Sequence, residues 1–521
     1  MTFPLRETFF FTVLFTFIVS AGGNNGISHA LERAASDGIV AETRVAPSAN
    51  SEALAHFLMG NLHDNAGRTE KAGEEYRKAL ILQPDNTEAQ VKLGSSLLLS
   101  GKFEEASEIL KKAIENDPET PGAYLLLAFI YTARNNLQEA RKCYENALKY
   151  DPNNIRAMTF LADLFIQENK LEEAAGIYEK IAEAEGTEAF AYFNLGVIYG
   201  RLGHFEAAEK ALKKAIEIDS EYIEARLLLG FLYEVEERDA EAIEAYESVT
   251  KIDNWNVDAR IRLTQIHRKN GSIEKALEEI RQIMEIEPMS QAPYLTSYSI
   301  YISAGRNEEA AAILREALAK GFSSAPVYAG LGYLEAAKGD HLEALEYYRK
   351  ALEISPGKHE YRFYVALSLD SMGRRKDAVA TLEKAVEEGT KLPEIYNYLG
   401  YTYAEEGKDL DKAEELIRKA ISMDPENGAY IDSLGWVYYK QGRFHDALAE
   451  MEKAMKYLPK DPTLRDHLGE IYYAMEEYEK ASAEWEMALS SEEDNKEIKS
   501  KLENAKEKLK QQNRKGKVGT R

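Results

Sequence analysis

The chain contains residue types that catalyse reactions or bind metals: nine histidines, one cysteine and 89 Asp or Glu among 521 residues. Their spacing matches no catalytic or ligand-binding motif, since the sequence has no HExxH, no GxSxG, no phosphate loop and no paired cysteines. His63 and His267 fall on predicted packing positions, and the carboxylates follow the polar faces of predicted helices. The sequence therefore predicts a protein that is not an enzyme and that uses no cofactor and no metal.

These polar faces belong to a helical unit that recurs along the chain. Residues 428–461 show it clearly, because their apolar residues at i, i+3, i+4 and i+7 line one face of a first helix. A break at 441–443 separates it from a second helix, which ends before Pro459. Two antiparallel helices joined by so short a turn bury one face against each other and leave their other faces for neighbouring copies.

The unit has a period of 34 residues, and thirteen copies span residues 53–495 with one extra residue in the loop 407–410. Its eighth position is usually Gly or Ala, and its twentieth is always Ala. Small residues there predict that the two helix axes approach closely, with large residues filling the space beside them. The alanines of the twentieth position are Ala72, Ala106, Ala140, Ala174, Ala208, Ala242, Ala276, Ala310, Ala344, Ala378, Ala413, Ala447 and Ala481.

This pattern resembles the tetratricopeptide repeat, whose period is 34. The Leu-Gly pairs that carry the resemblance end at Gly94, Gly196, Gly332, Gly400, Gly435 and Gly469. The resemblance implies an all-α fold, an α-α superhelical solenoid of about thirteen tetratricopeptide repeats with a C-terminal capping helix. Repeats four, seven, eight and ten are degenerate, with Thr264 and Tyr298 in place of the small residue, and are expected to alter local curvature.

The ends of the chain differ from the repeats. Residues 9–19 form an apolar run of about ten residues, shorter than the roughly 20 that a membrane-spanning helix needs, and small residues follow it. We predict a cleaved signal peptide at 1–21, in preference to an uncleaved anchor, and a flexible lead-in at 22–52. Residues 496–513 predict the capping helix, with Ile498, Leu502, Ala505 and Leu509 in one stripe. Residues 514–521 predict a basic disordered tail.

Charge limits the partners. The net charge is −24, and residues 496–521 carry ten Lys or Arg against three Glu, so the first 495 residues carry −31. A body of that charge repels phosphate, which argues against nucleic acid as a partner. Membrane contact is expected to be peripheral at most. The basic tail is interpreted as a solvated cap, with contact to an anionic surface or to another acidic body as the alternative.

The resemblance places binding on the first helices, where positions two, five, nine and twelve face an inner groove and ligands are proteins or peptides. These positions are rich in aromatic residues, each of which has packing between adjacent first helices as an alternative role. The candidate groove residues are Phe129, Phe193, Phe231, Tyr333, Phe363, Tyr401, Asp432, Trp436, Tyr439 and Tyr473.

Residues 396–459 are also similar to exported bacterial tetratricopeptide proteins, including outer-membrane adaptors that deliver substrates to a carboxyl-terminal processing protease. The segments 399–401 and 432–437 carry this resemblance. It implies a protein-binding scaffold or adaptor of the bacterial periplasm or cell envelope, with an envelope protease and its substrates among the partners. Two alternatives stay open: a periplasmic component of polysaccharide synthesis or export, and a regulatory subunit of a separate enzyme.

Overall fold

The computed structural model describes residues 49–184, 189–491 and 494–518. In these ranges the chain forms 27 α-helices and no β-strand, which confirms the predicted all-α fold. The helices alternate as first and second members of thirteen antiparallel pairs, and one further helix follows. The predicted signal peptide and all but the last four residues of the predicted lead-in lie outside the described residues.

The first helices are α1 (Ala49–Asn65), α3 (Thr87–Leu99), α5 (Pro121–Ala133), α7 (Ile155–Gln167), α9 (Ala189–Arg201), α11 (Ile223–Val235), α13 (Val257–Lys269), α15 (Ala292–Ser303), α17 (Ala325–Ala337), α19 (His359–Ser371), α21 (Pro393–Glu406), α23 (Gly428–Lys440) and α25 (Pro462–Ala474). The second helices are α2 (Thr69–Leu82), α4 (Phe103–Asn116), α6 (Leu137–Tyr150), α8 (Leu171–Glu183), α10 (Phe205–Ile218), α12 (Asp239–Ile252), α14 (Ile273–Ile286), α16 (Asn307–Ala319), α18 (His341–Ile354), α20 (Arg375–Glu387), α22 (Leu410–Met423), α24 (Phe444–Tyr457) and α26 (Tyr478–Ser491). The last helix is α27 (Lys496–Val518).

Local chemistry sets where the first helices begin. Proline occupies the first turn of α5, α15, α17, α21 and α25, where its missing N–H costs nothing. In α3, α7 and α13 an asparagine side chain instead accepts a hydrogen bond from the backbone N–H three residues on, at 2.9–3.0 Å. These are Asn86, Asn154 and Asn256. Each cap satisfies a donor that the helix itself leaves unpaired.

The turn inside each pair depends on the fifteenth position of the repeat. In all thirteen repeats this residue has a positive φ, and it is glycine in nine of them. Asn135, Asn169, Glu237 and Glu476 take the same left-handed conformation in the others. The extra residue of the eleventh repeat is absorbed here, because Asp409 adds a second left-handed residue between α21 and α22. The insertion therefore lies in the loop, as predicted.

Close approach of the paired helices is confirmed. All thirteen alanines of the twentieth position are fully buried. At the eighth position, a Cβ added to any of eight glycines would come within 2.4–2.9 Å of the large side chain at position twenty-four of the same repeat. These glycines are Gly60, Gly94, Gly196, Gly230, Gly332, Gly400, Gly435 and Gly469. Only a hydrogen fits there.

The described helices fall into two compact units. Unit 1 contains α1–α14, that is repeats one to seven, and unit 2 contains repeats eight to thirteen with α27. In unit 2 one hydrophobic cluster runs without a break from Ala344 to Ile471. First helices of neighbouring repeats also touch directly within a unit, between α3 and α5, α9 and α11, α15 and α17, α21 and α23, and α23 and α25.

The capping helix packs on α26 as expected. Ile498 and Ala505 are buried beside Trp485, and Leu502 packs against the same cluster. The helix continues to Val518, so residues 514–518 are helical and the boundary predicted at 513 is wrong. Lys501 extends the contact, since its Nζ lies 2.8 Å from Asp466 and 3.0 Å from Glu470 on α25.

None of the helices within 49–184, 189–491 and 494–518 combines the length and the apolar character required to cross a bilayer.

Candidate binding surface

The ten candidate groove residues divide into three classes of exposure. Phe129 on α5 and Tyr333 on α17 are exposed. Phe363, Tyr401, Tyr439 and Tyr473 are half-buried. Phe193, Phe231, Asp432 and Trp436 are buried, which favours for these four the alternative role of packing between adjacent first helices. Partner binding by the ten residues remains a prediction.

In unit 1 the buried phenylalanines fill space between helices. The Phe193 ring lies 5.2 Å from the ring of Tyr222, and both pack into one cluster with Leu227 and Phe231. The guanidinium of Arg262 lies 5.4 Å from the centre of the Phe231 ring. These side chains join α9, α11 and α13.

In unit 2 the helices α21, α23 and α25 meet at an aromatic cluster around Trp436. The indole stacks on His467 of α25 with ring centres 4.1 Å apart, and on Tyr439 at 4.8 Å. Its Nε1 donates a hydrogen bond of 2.6 Å to Glu405 on α21. Tyr401 lies 6.2 Å from the His467 ring. Trp436 thus connects three consecutive repeats.

The buried carboxylate of Asp432 is satisfied inside the same cluster. His467 Nδ1 lies 2.9 Å from Asp432 Oδ1 and 3.1 Å from Oδ2, and both side chains are buried. Sequence reasoning missed His467, because position six of the repeat carries no recurring residue type that marks it. Each of these two buried polar side chains is the hydrogen-bond partner of the other, so the pair stabilises the contact between α23 and α25.

Carboxylates dominate the charge around the cluster. Burial, followed by the charges of Glu405, Asp432 and Asp466, raises the pKa of Tyr401 to about 12. Burial and the neighbouring Glu470 raise the pKa of Tyr439 to about 12 as well. Lys440 lies 3.6 Å from Glu405 and 4.8 Å from the centre of the Trp436 ring. Both phenols therefore stay protonated and remain hydrogen-bond donors throughout the neutral range.

The open part of unit 2 lies on α17 and α19. Tyr333 is 53% exposed, and Tyr364 and Leu367 are also exposed. We call these three residues the open patch. The Tyr364 ring lies 5.2 Å from the ring of Tyr348 on α18. Burial, followed by the nearby Tyr333 and Tyr364 hydroxyls, raises the pKa of Tyr298 to about 12. Sequence reasoning placed Tyr333 and Leu367 at the inward ninth position but missed Tyr364, which occupies position six.

The next first helix, α21, carries a buried polar atom without a hydrogen bond to any described residue. Asn397, at position five of α21, has a buried Oδ1 with no hydrogen-bond partner among the described residues. Asp370 and Arg375 form an ion pair of 2.9 Å at the end of α19. Exposed aromatic rings suit a peptide, whose side chains need apolar contacts.

Two further residues of reactive types, Cys143 and His267, are buried. Burial raises the pKa of the Cys143 thiol to about 11, which keeps it protonated, and burial lowers the pKa of His267. Within the part of the chain that the structure describes, no three His, Cys, Asp or Glu side chains are grouped to hold a metal ion.

Comparison with known families supports the repeat assignment. A tetratricopeptide repeat model matches residues 65–130, 97–145, 131–195, 236–299 and 438–505, which together make up half of the chain. A second tetratricopeptide repeat model matches residues 189–222, and a third matches residues 299–359 and 366–428.

Individual relatives match only short stretches. The TPR repeat-containing protein PA4667 of Pseudomonas aeruginosa is 28% identical over 167 residues, which is 31% of this chain and 28% of that protein. The photosystem I assembly protein Ycf3 of Prochlorococcus marinus strain MIT 9215 is 33% identical over 115 residues, covering 19% of this chain and 65% of Ycf3. The match to the human protein O-mannosyl-transferase TMTC1 spans 15% of that protein at 31% identity.

Among solved structures, one chain of the APC/C hetero-tetramer Cut9-Hcn1 is similar to 87% of this chain over 96% of its own length. The sequence identity is 14% and the TM-score is 0.41. The complex of Naa15/Naa10 bound to HypK-THB covers 84% of this chain and 68% of that chain, at 20% identity and a TM-score of 0.41.

Proposed function

Because the chain belongs to the tetratricopeptide repeat family, we propose that it is a non-catalytic scaffold or adaptor that holds partner proteins or peptides against its first helices. The open patch carries this proposal. Tyr333, Tyr364 and Leu367 present apolar and aromatic surface to solvent on two neighbouring first helices. Aromatic side chains of this kind supply most of the energy of protein interfaces, and a soluble chain exposes them together where something binds.

The test is partner capture by variants that leave the fold intact. Tyr333→Ala and Leu367→Ala remove exposed side chains, so each should leave the melting temperature nearly unchanged and weaken capture about tenfold or more. Trp255→Ala is the control, because Trp255 is 68% exposed in a loop between repeats. Equal loss of capture in the control and in the patch variants would overturn the proposal.

For the location we propose export to the bacterial periplasm or cell envelope. The support is the apolar run at residues 9–19 followed by small residues. Sequencing the N-terminus of the mature protein after cell fractionation decides it. Cleavage near residue 21 and recovery outside the cytosol support the proposal, whereas an intact Met1 in the cytosol refutes it.

For the partners we propose an envelope protease and its substrates, on the strength of the resemblance through residues 396–459. Asp432 and Trp436, which carry part of that resemblance, are buried, so their contribution is to the packing of repeats eleven to thirteen. We therefore expect Tyr333→Ala to weaken binding of the purified carboxyl-terminal processing protease, measured by interferometry. This binding does not involve the buried side chain of Trp436. If the protease does not bind at micromolar concentration, it is excluded as a partner, whereas the scaffold proposal stands.

A further inference from the structure

One helix face at the beginning of the repeat array is uncovered. In α1 the residues at positions three, seven and ten of the repeat are Ala55, Met59 and Leu62, and all three are exposed. Leu58 on the same side is exposed too. We call these four residues the N-terminal face. Three of them are large and apolar, which is unusual for residues left in water on a folded protein.

The other repeats show what normally covers this face. At position ten the side chain is at most 5% exposed in twelve repeats, against 61% for Leu62. Those twelve residues are Ser96, Ile130, Leu164, Ile198, Leu232, Ile266, Ile300, Leu334, Ser368, Thr402, Val437 and Ile471. Position seven behaves in the same way, buried in twelve repeats and exposed only at Met59.

The covering element is the second helix of the preceding repeat. In the first repeat, a Cβ added to Gly73 of α2 would lie 3.6 Å from Ser96 and 3.8 Å from Leu93 of α3. Ser96 and Leu93 occupy the same repeat positions as Leu62 and Met59. The N-terminal face therefore has the shape and chemistry that receive a helix, and the described residues contain none that lies on it.

We propose that residues 27–36 of this chain dock on the N-terminal face in place of the missing second helix. Ile27, Leu31 and Ala34 follow an i, i+4, i+7 spacing, which would give a helix one apolar stripe to set against Met59 and Leu62. The twelve residues between this segment and α1 can reach at most roughly 40 Å. Met59 lies ten residues into α1, about 15 Å from its start, well within that reach.

The size of the face favours this occupant over a second copy of the protein. A stable interface between two chains uses about 20–30 residues on each side. The N-terminal face offers four. A segment tethered by twelve residues instead binds at an effective concentration in the millimolar range, so a small contact suffices. The segment also lies beyond the predicted signal peptide, so the exported form would retain it.

Cysteine cross-linking in the full chain tests the docking. Cys143 is buried and would not interfere. Oxidation of Leu31→Cys with Met59→Cys should give an intramolecular disulfide, detected by mass spectrometry of peptides. Leu31→Cys with Asn61→Cys is the matched control, because Asn61 lies on the same helix about 160° away from Met59 around its axis. Cross-linking that is equal in both pairs, absent from both, or formed only between two molecules overturns the proposal.

Deletion of residues 27–36 provides an independent readout. If the segment covers the N-terminal face, deletion should accelerate amide hydrogen exchange in α1 and α2 by on the order of tenfold and leave the exchange of α3 to α14 unchanged. It should also increase the binding of an apolar dye, and Leu62→Ser in the deleted chain should reverse that increase. Unchanged exchange and dye binding after the deletion would refute the docking.

Discussion

At the scale of single residues, Trp436 separates two roles that the sequence left open, a groove anchor and an inter-repeat packing residue. The side chain is 7% exposed and contacts Glu405, Tyr439 and His467 on three helices. We therefore expect Trp436→Ala to lower the free energy of unfolding by about 3–5 kcal/mol. Trp255→Ala should change it by no more than about 0.5 kcal/mol, since Trp255 is exposed.

Denaturant unfolding followed by far-UV dichroism measures both variants. A loss of less than about 1 kcal/mol for Trp436→Ala would show that the cluster relaxes around the gap and would reopen the role of groove anchor. Similar losses in the two variants would contradict the structure, because their burial differs so strongly.

Glu209 on α10 gives a pH-dependent contribution to stability. Its carboxylate lies 2.7 Å from Arg238 and 2.6 Å from Lys213, and accepts a hydrogen bond of 3.0 Å from the Tyr233 hydroxyl. The hydrogen bond from Arg238 contributes most to lowering its pKa, which falls from 4.5 to about 2 in the folded chain despite partial burial. Because the folded pKa is the lower one, the stabilisation is complete above the unfolded pKa and disappears as the pH falls toward 2.

We expect Glu209→Gln to be less stable than the parent at pH 7, and the difference between them to shrink as the pH falls from about 4.5 to 2. Urea unfolding at a series of pH values measures it. Comparison with the glutamine variant cancels the titration of the other carboxylates, which is common to both chains. A difference that is constant over this range, or that grows at acid pH, would refute the coupling.

Sequence reasoning located the unit 2 aromatic cluster but not its burial. The resemblance to the tetratricopeptide repeat implied inward positions for Tyr401, Asp432, Trp436 and Tyr439 in adjacent repeats, and the structure brings all four together. Whether such a side chain faces solvent depends on how closely the neighbouring first helix approaches. That distance is set by contacts between repeats, such as the stacking of His467, which no pattern within a single repeat contains.

At the scale of the helix pair, replacing glycine by alanine is expected to change stability in opposite directions at two kinds of position. A Cβ at Gly400 would lie 2.5 Å from Ile417 and 2.9 Å from the carbonyl oxygen of Ala413, whereas one at Gly176 in α8 would meet nothing within 4 Å. We expect Gly400→Ala to destabilise by about 1–3 kcal/mol through overpacking. Gly176→Ala should stabilise by about 0.5–1 kcal/mol, because alanine loses less entropy in a helix.

Thermal unfolding of both variants checks this pair of expectations, each serving as the control for the other. The close fit at position eight would be disproved by a Gly400→Ala protein as stable as the parent. Destabilisation by Gly176→Ala would show an interaction at α8 that the geometry does not contain.

The degenerate eighth repeat shows why departures from the pattern need a structure. Tyr298 occupies the position that is Gly or Ala in eleven repeats, and the sequence suggested only a change of local curvature. In the structure, a Cβ on Gly330 of the next first helix would lie 3.1 Å from the Tyr298 ring and 2.6 Å from Leu314. The space for the large ring is thus provided by a glycine in the following repeat. A pattern aligned repeat by repeat does not show such compensation between repeats.

At the scale of the whole molecule, the period of 34 predicted the number of repeats and the helix pairs, and its resemblance to the tetratricopeptide repeat implied the fold class. It worked because the helix pairs pack through alanine at position twenty in all thirteen repeats and through a small residue at position eight in eleven of them. The division into two units after Ile286 was not predictable in this way. It depends on how well each pair of neighbours packs, while the sequence register continues through the boundary without interruption.

The free energy of unfolding of a repeat array is close to a sum of contributions from single repeats and from contacts between neighbouring repeats. The effect of a destabilising substitution should therefore stay local. Hydrogen exchange of two variants tests this. Trp436→Ala should accelerate exchange in α21 to α27 and leave α1 to α8 protected, because the contacts of Trp436 lie within unit 2. Tyr178→Ala, which removes a fully buried ring from α8, should accelerate exchange in α7 to α10 and leave α21 to α27 protected. If either substitution accelerated exchange equally in both units, the chain would unfold as one cooperative body, and the sum of local terms would be the wrong description of its stability.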